Sequence, residues 1–251
     1  MKIVVVGGTG LIGSKLVEQL GEHGHEAVAA APNTGVNTLT REGLTEVLQG
    51  AQAVVDVTDS PSYEPDAVME FFQTSTGNLL TAEKASAVVH HVALSIVGTD
   101  RMPDNDYFRA KVFQEQLIEQ STVPFSIVRA TQFFEFAPSI AEAATDGNDV
   151  RIPPVRFQPI AGDDAAQIVG RVAAGPPLNG RTEVGGPEQF QMDEFFHDAL
   201  AAWGDPREVV TDPQARYFGG LPGERTLVPG NGATLGTIRY RDWLSHNPIG
   251  N

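Results

Sequence analysis

The sequence lacks cysteine, long apolar runs and any excess of positive charge. The absence of cysteine among the 251 residues excludes disulfides, thiolate metal sites and a cysteine nucleophile. No apolar run approaches the length of about 18 residues that a membrane span needs, so we expect no membrane partner. A net charge of −15 disfavours a nucleic-acid partner, because phosphate binding needs clustered Lys and Arg.

Signals for export and for metal binding are also missing. The apolar stretch at residues 3–6 is too short for a secretory signal and soon gives way to glycines, so we expect a cytoplasmic protein. The six histidines show no ligand spacing. His90 and His91 are neighbours on one strand and therefore point to opposite faces, which favours structural roles. We predict no metal site.

What the sequence does contain is a regular alternation of apolar runs with helical patterns. The alternation predicts parallel strands joined by helical crossovers, which is an α/β fold with a Rossmann-type doubly wound sheet. Ligands of such sheets bind at the carboxyl ends of the strands. The predicted strands are 2–7, 25–31, 51–57, 88–96 and 124–130, and the predicted helices are 11–23, 41–50, 65–87 and 107–121.

The pattern loosens after about residue 135. Prolines and glycines become frequent, and two further helices are predicted at 163–174 and 192–204. We expect one domain over residues 1–251. Residues from roughly 135 to 251 are expected to contribute a small C-terminal cap that binds the substrate.

Three glycines at every third position, Gly7, Gly10 and Gly13, connect the end of the first predicted strand to the first helix. Gly7 permits a tight turn, Gly10 leaves room for a pyrophosphate, and Gly13 lets the helix pack closely on the strand. The N–H groups and the partial positive charge of the helix N-terminus suit phosphates. This context of strand, glycine turn and helix predicts a dinucleotide site.

The segment GGTGLIG resembles the extended and atypical short-chain dehydrogenases/reductases, and in particular their NmrA-like branch. The resemblance covers residues 1–175 well and the remainder loosely. It implies an NAD(P)-binding Rossmann domain. It also implies that further residues line the cofactor, namely Thr9, Leu11, Ile12, Asn37, Val57, Thr58, Asp59 and Ala130.

The segment AAAPNTG after the second strand bears on the choice of dinucleotide. A carboxylate there bonds the ribose of NAD, whereas a nearby Arg suits the phosphate of NADP. Residues 29–35 contain neither. Asn33 and Thr34 can hydrogen-bond either ribose form. The missing carboxylate removes a repulsion against the phosphate, so we expect NADP(H) in preference to NAD(H).

Tyr107 and Lys111 stand four residues apart on a predicted helix and share one face. A nearby lysine cation lowers the pKa of a phenol, so that the tyrosine exchanges protons near neutral pH. Ser95 ends the fourth strand twelve residues upstream. By resemblance, Ser95 orients the substrate oxygen, Tyr107 is the acid/base and Lys111 also holds the cofactor ribose. The alternative is an exposed helix pair with a strand-end serine.

The sequence departs from its relatives near this site. Many relatives carry an asparagine on the long helix where this chain has Phe72, which puts a proton relay through asparagine in doubt. Gln132 and Phe133 follow the fifth strand and are the predicted pocket residues. Phe134 and Phe136 are expected to pack in the core.

These observations lead to a primary function and two alternatives. The first is an NAD(P)H-dependent oxidoreductase that reduces a small apolar carbonyl or quinone. The second is a non-catalytic redox sensor that binds NAD(P). The third is a tailoring enzyme, an oxygenase or cyclase, acting on an aromatic polyketide-like molecule. The expected partner is a small apolar or aromatic molecule, and formation of a homo-oligomer is left open.

Overall fold

A computed structural model describes residues 1–248. Its helices are α1 (Leu11–Glu22), α2 (Leu44–Leu48), α3 (Pro65–Ala85), α4 (Asp106–Gln120), α5 (Ala137–Ala143), α6 (Gly162–Ala174), α7 (Met192–Trp203) and α8 (Tyr240–His246). Its strands are β1 (Lys2–Val6), β2 (Glu26–Ala30), β3 (Ala53–Asp56), β4 (His90–Ile96), β5 (Phe125–Ala130), β6 (Thr145–Asp146), β7 (Asp149–Ile152), β8 (Arg156–Phe157), β9 (Gly180–Gly185), β10 (Phe190–Gln191), β11 (Glu208–Thr211) and β12 (Thr234–Leu235).

The main sheet has seven strands in the order β12-β9-β5-β4-β3-β1-β2, and all of its pairings are parallel. Helices α1 and α6 pack together on one face, and α3 and α4 pack together on the other. Parallel strands end at the same edge, so the loops after β1, β3 and β5 lie near one another. The predicted Rossmann-type α/β fold is confirmed.

Strand β1 shows why an unbroken apolar run became a strand. Ile3 and Val5 pack in the core beside α1 and α6, whereas Val4 and Val6 pack in the core beside α2 and α3. All four are at most 2% exposed. Full burial of such a side chain contributes about 1.5–3 kcal/mol, so both faces of the strand need apolar residues.

The predicted elements of the first half are confirmed, with one shortened helix. The five strands and the helices at α1, α3 and α4 lie within two residues of their predicted bounds. The helix predicted over 41–50 is reduced to Leu44–Leu48. Arg41 and Gly43 both have φ of 68°, which is left-handed and incompatible with a right-handed helix.

The second half of the chain, together with Met102 and Phe108, builds a further apolar core, which we call the cap cluster. It contains residues of α5, α7, α8, β7 and β8, and its aromatic members are Phe108, Phe134, Phe157, Phe195, Phe196, Tyr217, Tyr240 and Trp243. Helix α6 and strands β9 and β12 fall within residues 135–251 but belong to the main sheet and its helical layer. The substrate-binding role of the cap stays a prediction.

Two adjacent histidines of β4 are buried on opposite faces of the sheet, as the sequence predicts. His91 Nδ1 lies 2.8 Å from Glu83 Oε1 of α3, and His90 Nε2 lies 2.8 Å from Ser126 Oγ of β5. Among residues 1–248, no group of three or more His, Asp or Glu side chains lies together in a metal-binding arrangement. No helix in the same range is long and apolar enough to cross a membrane.

Candidate functional site

The turn between β1 and α1 needs glycine at three positions for packing, and at Gly8 a Cβ would lie 2.6 Å from the Val5 carbonyl oxygen. Gly7 has φ of +81°, and a Cβ there would lie 2.9 Å from the carbonyl oxygen of Val57. At Gly13 a Cβ would lie 2.7 Å from Gly8 Cα, which is closer than real contacts allow. The turn is thereby drawn against both its own helix and the loop after β3.

Gly10 has a different environment from its neighbours. It is the N-cap of α1 with φ of −80°, and a Cβ there would meet a single atom, the Gly7 oxygen, at 3.3 Å. The packing of the protein therefore does not exclude a side chain at Gly10. Helix α1 has no side-chain cap and no acidic residue in its first turn. Its terminal N–H groups and positive dipole end are available to an anion.

Of the residues expected beside these glycines, Thr9 and Leu11 are exposed and Ile12 is buried in the core. Thr9 Oγ1 donates to Asn33 Oδ1 at 3.1 Å, which joins the glycine turn to the loop after β2. The glycine turn thus presents Thr9 and Leu11 outward, while Ile12 anchors the helix.

Two of the predicted cofactor-binding residues in the loop after β2 form hydrogen bonds within that loop. Thr34 Oγ1 accepts a hydrogen bond from the Ala31 N–H at 2.9 Å. Asn37 Oδ1 accepts from the N–H groups of Leu39 at 2.9 Å and Thr40 at 3.3 Å. Asn33 therefore has the least committed side chain of the three predicted cofactor residues here.

The loop after β3 contains Val57, Thr58 and Asp59. The hydroxyl of Thr58 donates to buried Asp56 Oδ1 at 2.7 Å, and Gln114 of α4 donates to Asp56 Oδ2 at 3.0 Å. Asp56 thereby fixes the start of the loop to α4. Val57 lies against Gly7, so the loop borders the glycine turn.

Asp59 bonds two tyrosines. Tyr107 Oη donates to Asp59 Oδ1 at 2.7 Å, and Tyr63 Oη donates to Asp59 Oδ2 at 2.8 Å. Burial and then the Asp59 charge raise the pKa of Tyr107 well above its ordinary value of 10.0. This is opposite to the lowered pKa that the Tyr107/Lys111 spacing predicts, because a carboxylate and not a cation lies beside the phenol.

Lys111, which was expected to hold the cofactor ribose, is buried in the protein. Its Nζ donates to the Leu94 carbonyl at 2.9 Å and to Gln114 Oε1, and it lies 4.5 Å from the centre of the Phe72 ring. Burial lowers the pKa of Lys111 and outweighs the carboxylates nearby. Phe72 also contacts Tyr107, with ring centres 5.9 Å apart. Phe72, at the position where relatives carry asparagine, is therefore an apolar contact of both residues.

The hydroxyl of Ser95 does not hydrogen-bond to Tyr107. Its hydroxyl is buried and donates to Glu115 Oε1 at 2.6 Å. Glu115 lies two helical turns beyond Tyr107 and forms ion pairs with Arg129 at 2.7 Å and Arg181 at 3.1 Å. The strand face that carries Ser95 is covered by α4 and this charge cluster. Ser95 and Tyr107 thus have different hydrogen-bond partners, and the role of Ser95 stays a prediction.

The segment after β5 contains Ala130, Gln132 and Phe133. Ala130 ends the strand and is buried. Gln132 is 7% exposed, and its buried amide lies beside the phenol of Tyr217, whose pKa it lowers against the larger effect of burial. Phe133 is half-buried and lies 5.6 Å from Phe136, ring centre to ring centre. Phe134 is fully buried as predicted, whereas Phe136 is 43% exposed, so its assignment to the core is wrong.

Sequence reasoning missed the side chains that hold this site together. Tyr63 lies in the loop SPSYEP, where no periodicity reports which way a side chain points. Gln114 is 58 residues from Asp56 in the sequence, so no local spacing links them. The one signal in the sequence was the placement of Asp59 directly after a strand, at the edge where ligands bind.

The family comparison concerns the first half of the chain, and the curated relatives match about half of its length. The sequence model of the NAD dependent epimerase/dehydratase family matches residues 3–113. Photosystem II assembly factor Ycf39 of Cyanophora paradoxa is 22% identical over 149 residues, and that of Synechocystis is 23% identical over the same length. Each alignment covers 54% of this chain and 46% of the relative, so the chain spans about half the length of these relatives.

Solved structures share the whole fold at low identity. A short-chain dehydrogenase/reductase superfamily protein of Agrobacterium tumefaciens with bound NAD has a TM-score of 0.72 and 17% identity, over 98% of this chain and 95% of that one. An NADPH-dependent quinone oxidoreductase of Escherichia coli has a TM-score of 0.67 and 15% identity, over 98% and 99%. These comparisons leave the NmrA-like branch a prediction. Residues 3–113 are similar to the NAD dependent epimerase/dehydratase family model, and the chain shares the fold of these solved structures.

Proposed function

We propose that this chain binds NAD(P)(H) at the carboxyl edge of its main sheet and is an oxidoreductase. The observation that carries the proposal is the space beside Gly10. The protein itself barely occupies the Cβ position, yet the residue is glycine and the adjoining helix is uncapped. A diphosphate bridge would use that space and those N–H groups. The bound dinucleotide would supply or accept the hydride.

The structure suggests which residues of the chain would surround that group. The diphosphate would lie against Gly10 and the first turn of α1, and Asn33 would face the adenosine ribose. No carboxylate occurs in residues 29–35, which favours NADP(H) over NAD(H). We propose Tyr107 as the proton donor or acceptor, since its hydroxyl lies in the loop region that borders the glycine turn.

The proposed substrate is a small apolar carbonyl or quinone. Support comes from the residues around the expected pocket: Phe133 and Phe136 provide apolar surface, and Gln132 provides a buried amide beside Tyr217. Pockets of this composition bind apolar molecules and orient them through a few polar groups. The Escherichia coli quinone oxidoreductase among the structural neighbours adds support at the level of fold.

Oxidation of NADPH and NADH, followed at 340 nm with a panel of quinones and aldehydes, tests the reaction. Loss of a general acid lowers turnover by about 10²- to 10⁴-fold, so we expect this for Tyr107→Phe. Tyr240→Phe is the matched control, because Tyr240 is buried in the cap cluster. The turnover rate of this variant should equal that of the wild type. Cofactor binding without turnover in any of the three proteins would refute the oxidoreductase proposal.

A second candidate is a dinucleotide-binding regulator that performs no hydride transfer. It is favoured by the internal bonds of the expected catalytic residues: Ser95 to Glu115, Lys111 to Leu94 and Gln114, and Tyr107 to Asp59. Affinity capture of partners in the presence and absence of NADPH distinguishes it. Capture of a partner only in the presence of NADPH, together with absent turnover, supports the regulator. Equal capture with and without NADPH opposes it.

A further inference from the structure

Asp59 is the centre of a contact that we call the tyrosine clamp, formed by Tyr63, Asp59 and Tyr107. Each carboxylate oxygen accepts one phenolic hydrogen, at 2.7 Å from Tyr107 and 2.8 Å from Tyr63. The N–H of Ser60 donates to the oxygen that Tyr107 also uses, at 2.8 Å. The two rings lie 5.7 Å apart with their planes inclined at 48°. The carboxylate is thus held from three sides.

We propose that Asp59 is the positioning residue of this site: it fixes the Tyr107 hydroxyl and keeps it protonated, with Tyr63 bracing the carboxylate. The inference rests on the proposed function in giving Tyr107 a role in proton transfer. It goes beyond that function because it assigns control of the phenol to a carboxylate of the loop after β3. Ser95 and Lys111, the partners that the sequence suggests, are both bonded elsewhere.

The physical reason is the single proton of a phenol. While Tyr107 donates it to Asp59, its oxygen can only accept a hydrogen bond from any other group. Ionisation of Tyr107 would place a phenolate against a carboxylate, and like charges at hydrogen-bond distance disfavour that state. Charge-assisted hydrogen bonds are also stronger than neutral ones, so the clamp holds the ring in one orientation.

The carboxylates that act on Tyr107 are those of Asp59 and Asp56, and the Lys111 cation interacts with both of them. The loop after β3 presents Asp59, Tyr63 and, further away, Asp56, all of which oppose ionisation of the phenol. From α3 it meets the ring of Phe72. On its own helix Lys111 is directed at the Leu94 carbonyl and Gln114. Asp59 is therefore the nearest group through which the protein sets the protonation of Tyr107.

The clamp adjoins the expected dinucleotide. Val57, two residues before Asp59, lies against the Gly7 turn, so a nucleotide bound at that turn would pass beside the loop that holds the clamp. Asp59 and Tyr63 are exposed, and their bonds can be exchanged without opening the core. The clamp is therefore placed to respond to a bound nucleotide.

Absorbance of tyrosinate at 295 nm, followed from pH 8 upward without any nucleotide, tests the inference. Tyr63 is exposed overall, but partial desolvation of its phenol and the bond to Asp59 raise its pKa to about 12, and the pKa of Tyr107 is raised as well. We expect Asp59→Asn to ionise tyrosine at lower pH than the wild type. The double variant Asp59→Asn/Tyr107→Phe should lack the part of the low-pH absorbance increase that comes from Tyr107. Far-UV circular dichroism at each pH confirms that the proteins remain folded.

Asp66→Asn is the control, because Asp66 is an exposed carboxylate nearby that bonds no tyrosine within residues 1–248, and its titration should match the wild type. Asp59→Ser is a second variant in case Asp59→Asn folds poorly. Superimposable titrations of wild type and both Asp59 variants would overturn the inference. The outcome is independent of turnover, so failure of the proposed reaction and failure of the clamp give different results. If turnover is found, the basic limb of its pH–rate profile should move to lower pH in Asp59→Asn.

Discussion

Replacing Gly13 by alanine tests the packing of the glycine turn. The new Cβ would lie 2.7 Å from Gly8 Cα and closer still to the Gly7 oxygen, all of it backbone that cannot rotate away. Overpacking of this kind costs about 1–3 kcal/mol or more. Alanine recovers up to about 1 kcal/mol as the better helix former. We therefore expect a net loss of about 1–2 kcal/mol.

Gly21→Ala in the same helix provides the matched control. No atom lies within 4 Å of its added Cβ, so only the helix propensity changes, and stability should rise by about 0.5–1 kcal/mol. For a chain of this size each kcal/mol moves the melting temperature by about 2–4 °C. Thermal unfolding by circular dichroism should therefore give shifts of opposite sign. A Gly13→Ala melting temperature at or above that of the wild type would refute the packing argument.

Two further predictions concern buried polar groups. Ser95→Ala removes a hydrogen bond to a charged acceptor and should lower stability by about 1–3 kcal/mol in chemical denaturation, without changing turnover or nucleotide affinity; a large loss of turnover at unchanged affinity would contradict it. Burial disfavours protonated His91, but the Glu83 carboxylate outweighs it and raises the pKa of His91. Because the raised native pKa exceeds the unfolded value of about 6.5, this stabilisation is complete below that pH and is lost as pH rises through the native pKa, by at most about 1.4 kcal/mol per pH unit. Thermal unfolding from pH 6 to pH 9 should show this slope in the wild type and a flatter one in the double variant Glu83→Leu/His91→Phe, and parallel slopes would count against it.

The sequence predicted the parts of the fold that depend on local pattern. Residues 3–6 are apolar without interruption because both faces of β1 are covered, and such a run can be recognised from the order of the residues alone. The glycine turn was also recognisable from the local order of strand, glycines and helix, although the contact of Gly7 with Val57 is distant in the sequence. The shortened α2 was missed because a left-handed Arg41 leaves no mark in the pattern.

The arrangement of the site depends on contacts that are distant in the sequence. Ser95 is drawn to Glu115, and that carboxylate in turn is held by Arg129 and Arg181 from two other strands. A four-residue spacing indicates that Tyr107 and Lys111 share a helix face, but it does not report that Phe72 contacts both of them or that a loop carboxylate reaches the phenol first. Side-chain partners of this kind follow from tertiary packing.

Isothermal titration of the chain with NADPH and with NADH is the most direct test of the central claim, that the turn at Gly10 binds a dinucleotide. We expect a one-site isotherm with at least one of them in the wild type and in Gly21→Ala. Gly10→Ala requires the Gly7 oxygen, 3.3 Å from the added Cβ, to move by a few tenths of an ångström; this variant should remain folded and lose the binding. The account would be contradicted by an absence of binding to the wild type at millimolar nucleotide, or by equal affinity in Gly10→Ala.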